Sequence, residues 1–350
     1  MPMTVARTSE QLNARREGQL GRITLNRPSS INALTLEMIR AATDALRAWW
    51  DDPSVEFLVL DGAGDRGLCA GGDLTVVRDS ALGDQDAAAQ LWREEYLLDL
   101  LMARFPKPVV ALMDGVVMGG GLGLAGRADV RIVTERSRVA MPEVLIGLAP
   151  DVGSCDLLAR APGELGTHVA LTSMHLGAAD TLLCGLANLY MTSAELAGVF
   201  ASLQRAGLEG LPASGSPPAG ELAEARGWID ECYAGDDPVE IVRRLSARSE
   251  PSALAASRRL ESVSPTAVAV TLRALRAAAD EPGLGPCLVR DYRVIRRFLR
   301  HPDLVEGITA GLVDRTHTPR WSPPRLADVR GEDVDAFFAP LGPDELRLPD

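Results

Sequence analysis

The sequence predicts an α/β protein with a helical C-terminal region, and three observations carry that prediction. Short apolar runs alternate with amphipathic helical stretches over the first two thirds of the 350 residues. Two glycine-rich loops, "RGLCAGGDL" (66–74) and "MGGGLGLAG" (118–126), each follow an apolar strand and open a helix. Beyond them the chain turns to helical stretches rich in Ala, Leu and Arg.

Taken in order, "QLGRITLNRP" reads as a strand ending at Pro28, and "TLEMIRAATDALRAWWDD" as an amphipathic helix. "VEFLVLDGAG" is a nearly continuous apolar strand closed by glycine. "KPVVALMDGVVMGGG" gives two strands around Asp114-Gly115, and "DVRIVTERSRVAMPE" gives two more. The stretch from Gly163 to Ala197 reads mainly as helix. "GLEGLPASGSPPAGE" has the Gly, Pro and Ser content of a flexible connection. These boundaries predict a core at 1–206 that carries the site, a connection at 207–221 and a helical region at 222–350.

Acids outnumber bases 48 to 36, for a net charge of −12, which disfavours general nucleic-acid binding. The start of the chain has no apolar signal core, and no apolar run reaches spanning length, so neither secretion nor membrane insertion is expected. Five scattered cysteines without CxxC spacing point to free thiols in a reducing compartment, taken as the cytoplasm. No metal site and no cofactor are expected. Cys69 and Cys155 read as small packing residues, not nucleophiles.

"GLGLAG" matches the dinucleotide fingerprint GxGxxG, but the acid closing the next strand, Glu135, follows too soon to leave room for a crossover helix. The glycines have another use: two loops that each open a helix can aim two backbone N–H groups at one oxygen, the design of an oxyanion hole. A further signal is "MPEVLIGLAPD" (141–151). It sets Glu143 and Asp151, each directly after a proline, at the two ends of an apolar run. Carboxylates in apolar surroundings are costly to ionise and are often working groups. A first-turn helix acid at Glu143 and a turn or N-cap acid at Asp151 explain the same residues, and Asp73 reads equally as an N-cap.

"ITLNRPSSINALTLEMI", "GLCAGGDL", "KPVVALMDGVVMGGGLGLAG" and "VAMPEVLIGLAPDVG" together resemble the enoyl-CoA hydratase/isomerase, or crotonase, superfamily. Within it, MPE combined with PDVG is similar to the 3-hydroxyisobutyryl-CoA hydrolase subfamily, as are "SPTAVAVTLRAL" and "HPDLVEGITAGLVDRTHTPRWSPPRLADV". The resemblance implies a spiral of ββα units and an acyl-CoA substrate, with CoA as part of that substrate. It implies an oxyanion hole from the N–H groups of Ala70 and Gly120, with Gly71, Gly72, Asp73, Gly119 and Gly121 around it as substrate-binding residues. Glu143 becomes the catalytic carboxylate, Asp151 a second catalytic acid that binds a 3-hydroxyl and assists proton transfer, and Glu95 a substrate-contacting acid. Arg27, Ile31, Asn32 and Leu34 border the CoA adenine and ribose.

The departures matter as much. The family's hydratases carry a second glutamate two residues past the position of Gly121, and this chain has Gly123 there. An acid stands instead at Asp151, where hydratases commonly have glycine. Hydrolysis of 3-hydroxyisobutyryl-CoA in valine breakdown is the reading this favours, over enoyl-CoA hydration or isomerisation and over a non-catalytic acyl-CoA binder. Ser154-Cys155 also departs from the hydrolases' glycines, and Ser29 replaces a common lysine. Self-association is expected, as the family's trimers and hexamers imply, unless the helical region covers the same surface within one chain.

Overall fold

The computed structural model describes residues 9–314 and 316–349. The first eight residues of the stretch read for a secretion signal lie outside the described residues. In chain order the strands are β1 Leu12–Glu17, β2 Leu20–Leu25, β3 Phe57–Gly62, β4 Gly67–Cys69, β5 Val109–Met113, β6 Val116–Met118, β7 Val130–Val133, β8 Arg138–Ala140 and β9 Leu189–Tyr190. The first eight helices are α1 Leu36–Trp49, α2 Leu74–Leu82, α3 Asp86–Ala103, α4 Gly120–Ala125, α5 Ser154–Leu158, α6 Leu165–Thr172, α7 Ala178–Leu183 and α8 Ser193–Ala206. The others are α9 Leu222–Tyr233, α10 Pro238–Ser246, α11 Pro251–Ser262, α12 Pro265–Asp280, α13 Leu284–Phe298, α14 Pro302–Ile308 and α15 Gly331–Phe338.

Two compact units share the chain. One takes the residues through Asp73, with Glu94–Val139 and Leu176–Gly220; the other takes Leu74–Arg93, Ala140–His175 and everything from Glu221.

The first unit is built on a six-stranded sheet in the order β1-β2-β3-β5-β7-β9 and a three-stranded sheet in the order β4-β6-β8. Successive strand pairs β3–β4, β5–β6 and β7–β8 each give one strand to either sheet, which is the expected ββα repeat. The larger sheet is parallel except for the β1–β2 hairpin, with Ile23 beside Leu60 and Val110 beside Val130. Every residue from Phe57 to Asp61 is buried, because both faces of a mainly parallel sheet are covered. Phe57, Val59, Val110, Leu112 and Ile132 line one face and pack with Val199 and Leu203 of α8. Helix α1 buries Met38, Ile39, Ala42, Ala45, Leu46 and Trp49 at helical spacing. Thr35 caps it, its hydroxyl accepting the Met38 N–H at 3.2 Å, a bond worth about 1 kcal/mol.

The second unit is helical. Helix α12 is buried along most of its length and is started by Ser264, whose hydroxyl accepts the Ala267 N–H at 3.1 Å, and by Pro265 at the first helical position. Arg276 of α12 donates to Glu164 at 2.9 Å and to the carbonyls of Tyr233 and Gly235 at 2.8 and 2.9 Å, tying α12 to α9. Among the described residues no helix is long and apolar enough to cross a membrane.

Candidate active site

In the first unit the two glycine loops meet. A Cβ built on Gly71 (φ +105) would lie 3.4 Å from the Met118 carbonyl oxygen and 3.8 Å from the Gly120 nitrogen. One on Gly121 would lie 2.7 Å from Cys69 Cβ, so only glycine lets the backbones approach this closely. The GxGxxG run is thus the short buried helix α4, with β7 beginning only four residues after it, and not a nucleotide loop.

The N–H groups in this cradle sort into engaged and open ones. Ala70 donates to the Ile31 carbonyl at 2.9 Å and Asp73 to the Leu34 carbonyl at 3.0 Å. The expectation that the Ala70 N–H serves an oxyanion is corrected on this ground, since that proton is already bonded. The half-exposed Gly72 N–H has no acceptor among the described residues, and Gly120 stands in the first turn of α4, where N–H groups have no intrahelical partner. Of the two loops, Gly72 and Gly120 are the residues whose N–H groups stay open to an acceptor.

Leu34 pairs with Gly72 in a short parallel bridge, its N–H donating to the Gly71 carbonyl at 2.8 Å. Asn32 is fully buried: its Oδ1 accepts the Arg27 N–H at 2.9 Å, and its Nδ2 donates to the Ala63 and Gly67 carbonyls, both at 3.0 Å. The side chains of Asn32 and Leu34 therefore brace the cradle and cannot present themselves to a coenzyme. Arg27 and Ile31 are half-buried and remain accessible. Arg27 also pairs with Asp73 at 3.1 Å. Glu95, buried on α3, holds Oε1 only 2.0 Å from where a Gly120 Cβ would be, so its carboxylate lies directly against the cradle. Burial pushes the Cys69 thiol up to about 12, which leaves it protonated and inert at neutral pH. Burial also raises the Cys155 thiol well above its ordinary value.

In the second unit Glu143 and Asp151 are both buried, 7% and 8% exposed. Glu143 opens a 3-10 turn, Glu143–Ile146, that closes on Gly147 in the left-handed region. Helix α14 is pressed onto that turn: a Cβ on Gly147 would lie 2.3 Å from the Asp303 carbonyl oxygen, and one on Gly307 2.4 Å from the Ile146 carbonyl carbon. Asp303 is anchored in turn by the Ser264 hydroxyl and by the Ser322 N–H at 2.8 Å. Asp151 is not the N-cap of α5, a place taken by Gly153. It begins a turn in which Val152 (φ 54) and Gly153 (φ 74) are both left-handed and the Ser154 N–H returns to the Asp151 carbonyl at 2.9 Å. A residue that sequence reasoning missed, Asp291 of α13, accepts the Gly153 N–H at 2.8 Å. A cavity of about 720 Å³ elsewhere in this unit is lined by Arg273, Asp280, Arg290 and Val334 and includes neither Glu143 nor Asp151. No group of three or more His, Cys, Asp or Glu is placed to hold a metal among the described residues.

The sequence pattern of the enoyl-CoA hydratase/isomerase family matches residues 20–338. A mouse (Mus musculus) protein named 3-hydroxyisobutyryl-CoA hydrolase, mitochondrial, is 35% identical over 354 residues, 95% of this chain and 90% of its own. Two crystal structures superpose on nearly the whole chain. A carnitinyl-CoA dehydratase from Mycobacterium thermoresistibile has a TM-score of 0.93 and 43% identity, over 97% of this chain and 99% of its own. An enoyl-CoA hydratase from Rhodobacter sphaeroides 2.4.1 has 0.92 and 39%, over 97% and 100%. The fold is the crotonase fold with a helical C-terminal region.

The expected cytoplasmic location is corrected by these relatives, because the mouse, rat, human and chicken proteins are all named mitochondrial. Free thiols fit any reducing compartment and do not tell one from another. With its sequence matched to the family over 319 residues of pattern span (20 to 338) and its fold matched at a TM-score of 0.93, the chain belongs to the enoyl-CoA hydratase/isomerase family.

Proposed function

We propose that this chain is an acyl-CoA thioester hydrolase that converts 3-hydroxyisobutyryl-CoA to 3-hydroxyisobutyrate and CoA, a step of valine breakdown. The observation that carries the reading is the distribution of acids. Position 123, where the resemblance puts a hydratase's second glutamate, is a glycine buried inside α4, while a buried carboxylate stands at Asp151. The names of the curated relatives at about 35% identity support the same reading.

The carbonyl oxygen of the thioester accepts from the N–H groups of Gly72 and Gly120. Charge grows on that oxygen in the tetrahedral transition state, so fixed donors bind that state better than the ground state, each contributing roughly 3–4 kcal/mol. Glu143 either takes a proton from the attacking water or attacks the carbonyl itself to form an anhydride that water then opens. Both routes break the C–S bond and release the CoA thiol. Asp151 accepts the substrate's 3-hydroxyl, and a site built to read a hydroxyl rejects analogues that lack it. Glu95, lying against Gly120, borders the acyl group, and Arg27 and Ile31 border the coenzyme portion. Self-association through the crotonase fold is part of the same proposal.

A second reading has a specific observation in its favour: the two superposable structures at 43% and 39% identity are named as a dehydratase and a hydratase. The test is release of CoA thiol from (S)-3-hydroxyisobutyryl-CoA by the wild type and by Glu143→Gln, with crotonyl-CoA hydration followed in parallel. Fast thiol release that collapses in the variant, with negligible hydration, is expected. Loss of the enoyl absorbance without thiol release would reject hydrolysis and establish the second reading; binding of both thioesters without turnover would leave only an acyl-CoA binder.

A further inference from the structure

Asp291 is fully enclosed on α13, and its surroundings tie it to one turn. Its Oδ2 accepts the Gly153 N–H at 2.8 Å. One helical turn earlier, the Cys287 thiol faces both of its oxygens at 3.7 and 3.8 Å, long contacts that orient the carboxyl more than they hold it. The turn it grips is strained. Val152 has a φ of 54, a conformation that a β-branched residue rarely adopts, and Gly153 follows at 74. Such a turn persists only where its surroundings hold it. The residue that begins it is Asp151.

We propose that Asp291 is a positioning residue for Asp151: it clamps the left-handed Val152–Gly153 turn from α13 and sets the charge that Asp151 faces. The inference rests on the reading of Asp151 as the group that binds the 3-hydroxyl. The charged and titratable groups acting on Asp291 are Asp151 and Cys155 from the turn and α5, and Cys287 and Arg290 from α13. Burial, reinforced by the Asp151 charge, pushes the Asp291 carboxyl up to about 7, against the pull of the Gly153 N–H and of Arg290. Below that pH Asp291 is neutral and Asp151 has no like charge from it. Above it two negative charges confront each other, and Asp151 holds a proton more readily.

The experiment compares kcat/KM for a 3-hydroxyacyl-CoA with that for the same acyl-CoA lacking the hydroxyl, from pH 5.5 to 8.5. Asp291→Asn keeps a carbonyl for the Gly153 N–H and removes the charge; Asp291→Ala removes both. The wild-type preference for the hydroxylated substrate should change through an inflection near pH 7, and Asp291→Asn should flatten it. Asp291→Ala should lower the preference about tenfold. In the wild type the Gly153 amide resonance should titrate near pH 7, and in Asp291→Asn it should not. A merely structural Asp291 would lower both substrates equally and leave the pH dependence of their ratio intact, and that result overturns the proposal. Asp151→Asn is the control. If it keeps the full preference, the reading of Asp151 fails and the positioning role with it. If it loses the preference while both Asp291 variants keep theirs, only the role of Asp291 fails.

Discussion

Ala70 and Gly72 are two residues apart in one loop, yet the first has given its N–H to Ile31 and the second has kept its own open. That difference is invisible in a list of residue types, because it depends on where the chain 39 positions upstream of Ala70 lays its carbonyls. What was legible is glycine at 71, 120 and 121: the first has a φ of +105, the second faces the Glu95 carboxylate, and the third lies against the Cys69 backbone. Asn32 was legible as a special residue and misassigned as a contact, because its three hydrogen bonds run inward to Arg27, Ala63 and Gly67. Asn32→Ala removes those bonds and leaves the buried Gly67 carbonyl and the half-buried Ala63 carbonyl without this donor. At about 1 kcal/mol net for each bond, urea unfolding should show a loss of about 3 kcal/mol. Glu143→Gln should behave oppositely: thioester hydrolysis should fall by roughly 10²- to 10⁴-fold with the unfolding midpoint nearly unchanged. A Glu143→Gln protein that hydrolyses at the wild-type rate would remove Glu143 from the chemistry.

At the scale of elements, the 3-10 turn that carries Glu143 has no long helix of its own and is held by what presses on it. Gly147 and Gly307 let α14 lie against the turn at backbone contact. Gly307→Ala would drive a methyl to 2.4 Å from the Ile146 carbonyl carbon, whereas Gly311→Ala would meet only the Ile146 side chain at an ordinary 3.5 Å. The first should therefore cost about 1–3 kcal/mol in unfolding and lower kcat, and the second should be near neutral in both. Equal effects from the two would mean that the fit of α14 does not hold the turn. Strands β3 and β5 to β8 were legible as apolar runs between turn residues. Strand β1 was not: "LNARRE" is an edge strand whose outward residues are charged, as edges commonly are, so its pattern is that of a loop. Asp291 was illegible for a different reason, since it lies 138 residues from the turn it grips and reads as one more helix acid among arginines.

For the whole molecule, two buried groups set opposite limits of pH on stability. His168 is enclosed edge-on by Trp228 and Tyr233, with Nδ1 2.9 Å from the Tyr233 hydroxyl. Burial lowers its pKa to about 4 from 6.5. A depressed value in the fold means that the unfolded chain takes up the proton first. The contribution is full above about pH 6.5 and is lost as the pH falls through 4, amounting to about 3 kcal/mol. His168→Gln should reduce the difference in unfolding free energy between pH 7 and pH 4 by about that much, and an unchanged difference would contradict the account. Asp291 has the other sign. Its raised value gives full stability below the unfolded pKa near 4 and loses it as the pH rises through about 7. Asp291→Asn should therefore melt higher than the wild type at pH 8 and close to it at pH 5.

Hydrolysis and hydration put water oxygen on different carbons of the same kind of substrate. Turnover of 3-hydroxyisobutyryl-CoA in water enriched in oxygen-18, with the products read by mass spectrometry, separates them in one measurement. The account predicts free CoA and a 3-hydroxyisobutyrate labelled in its carboxylate. Label at the C3 hydroxyl of an intact thioester would contradict it.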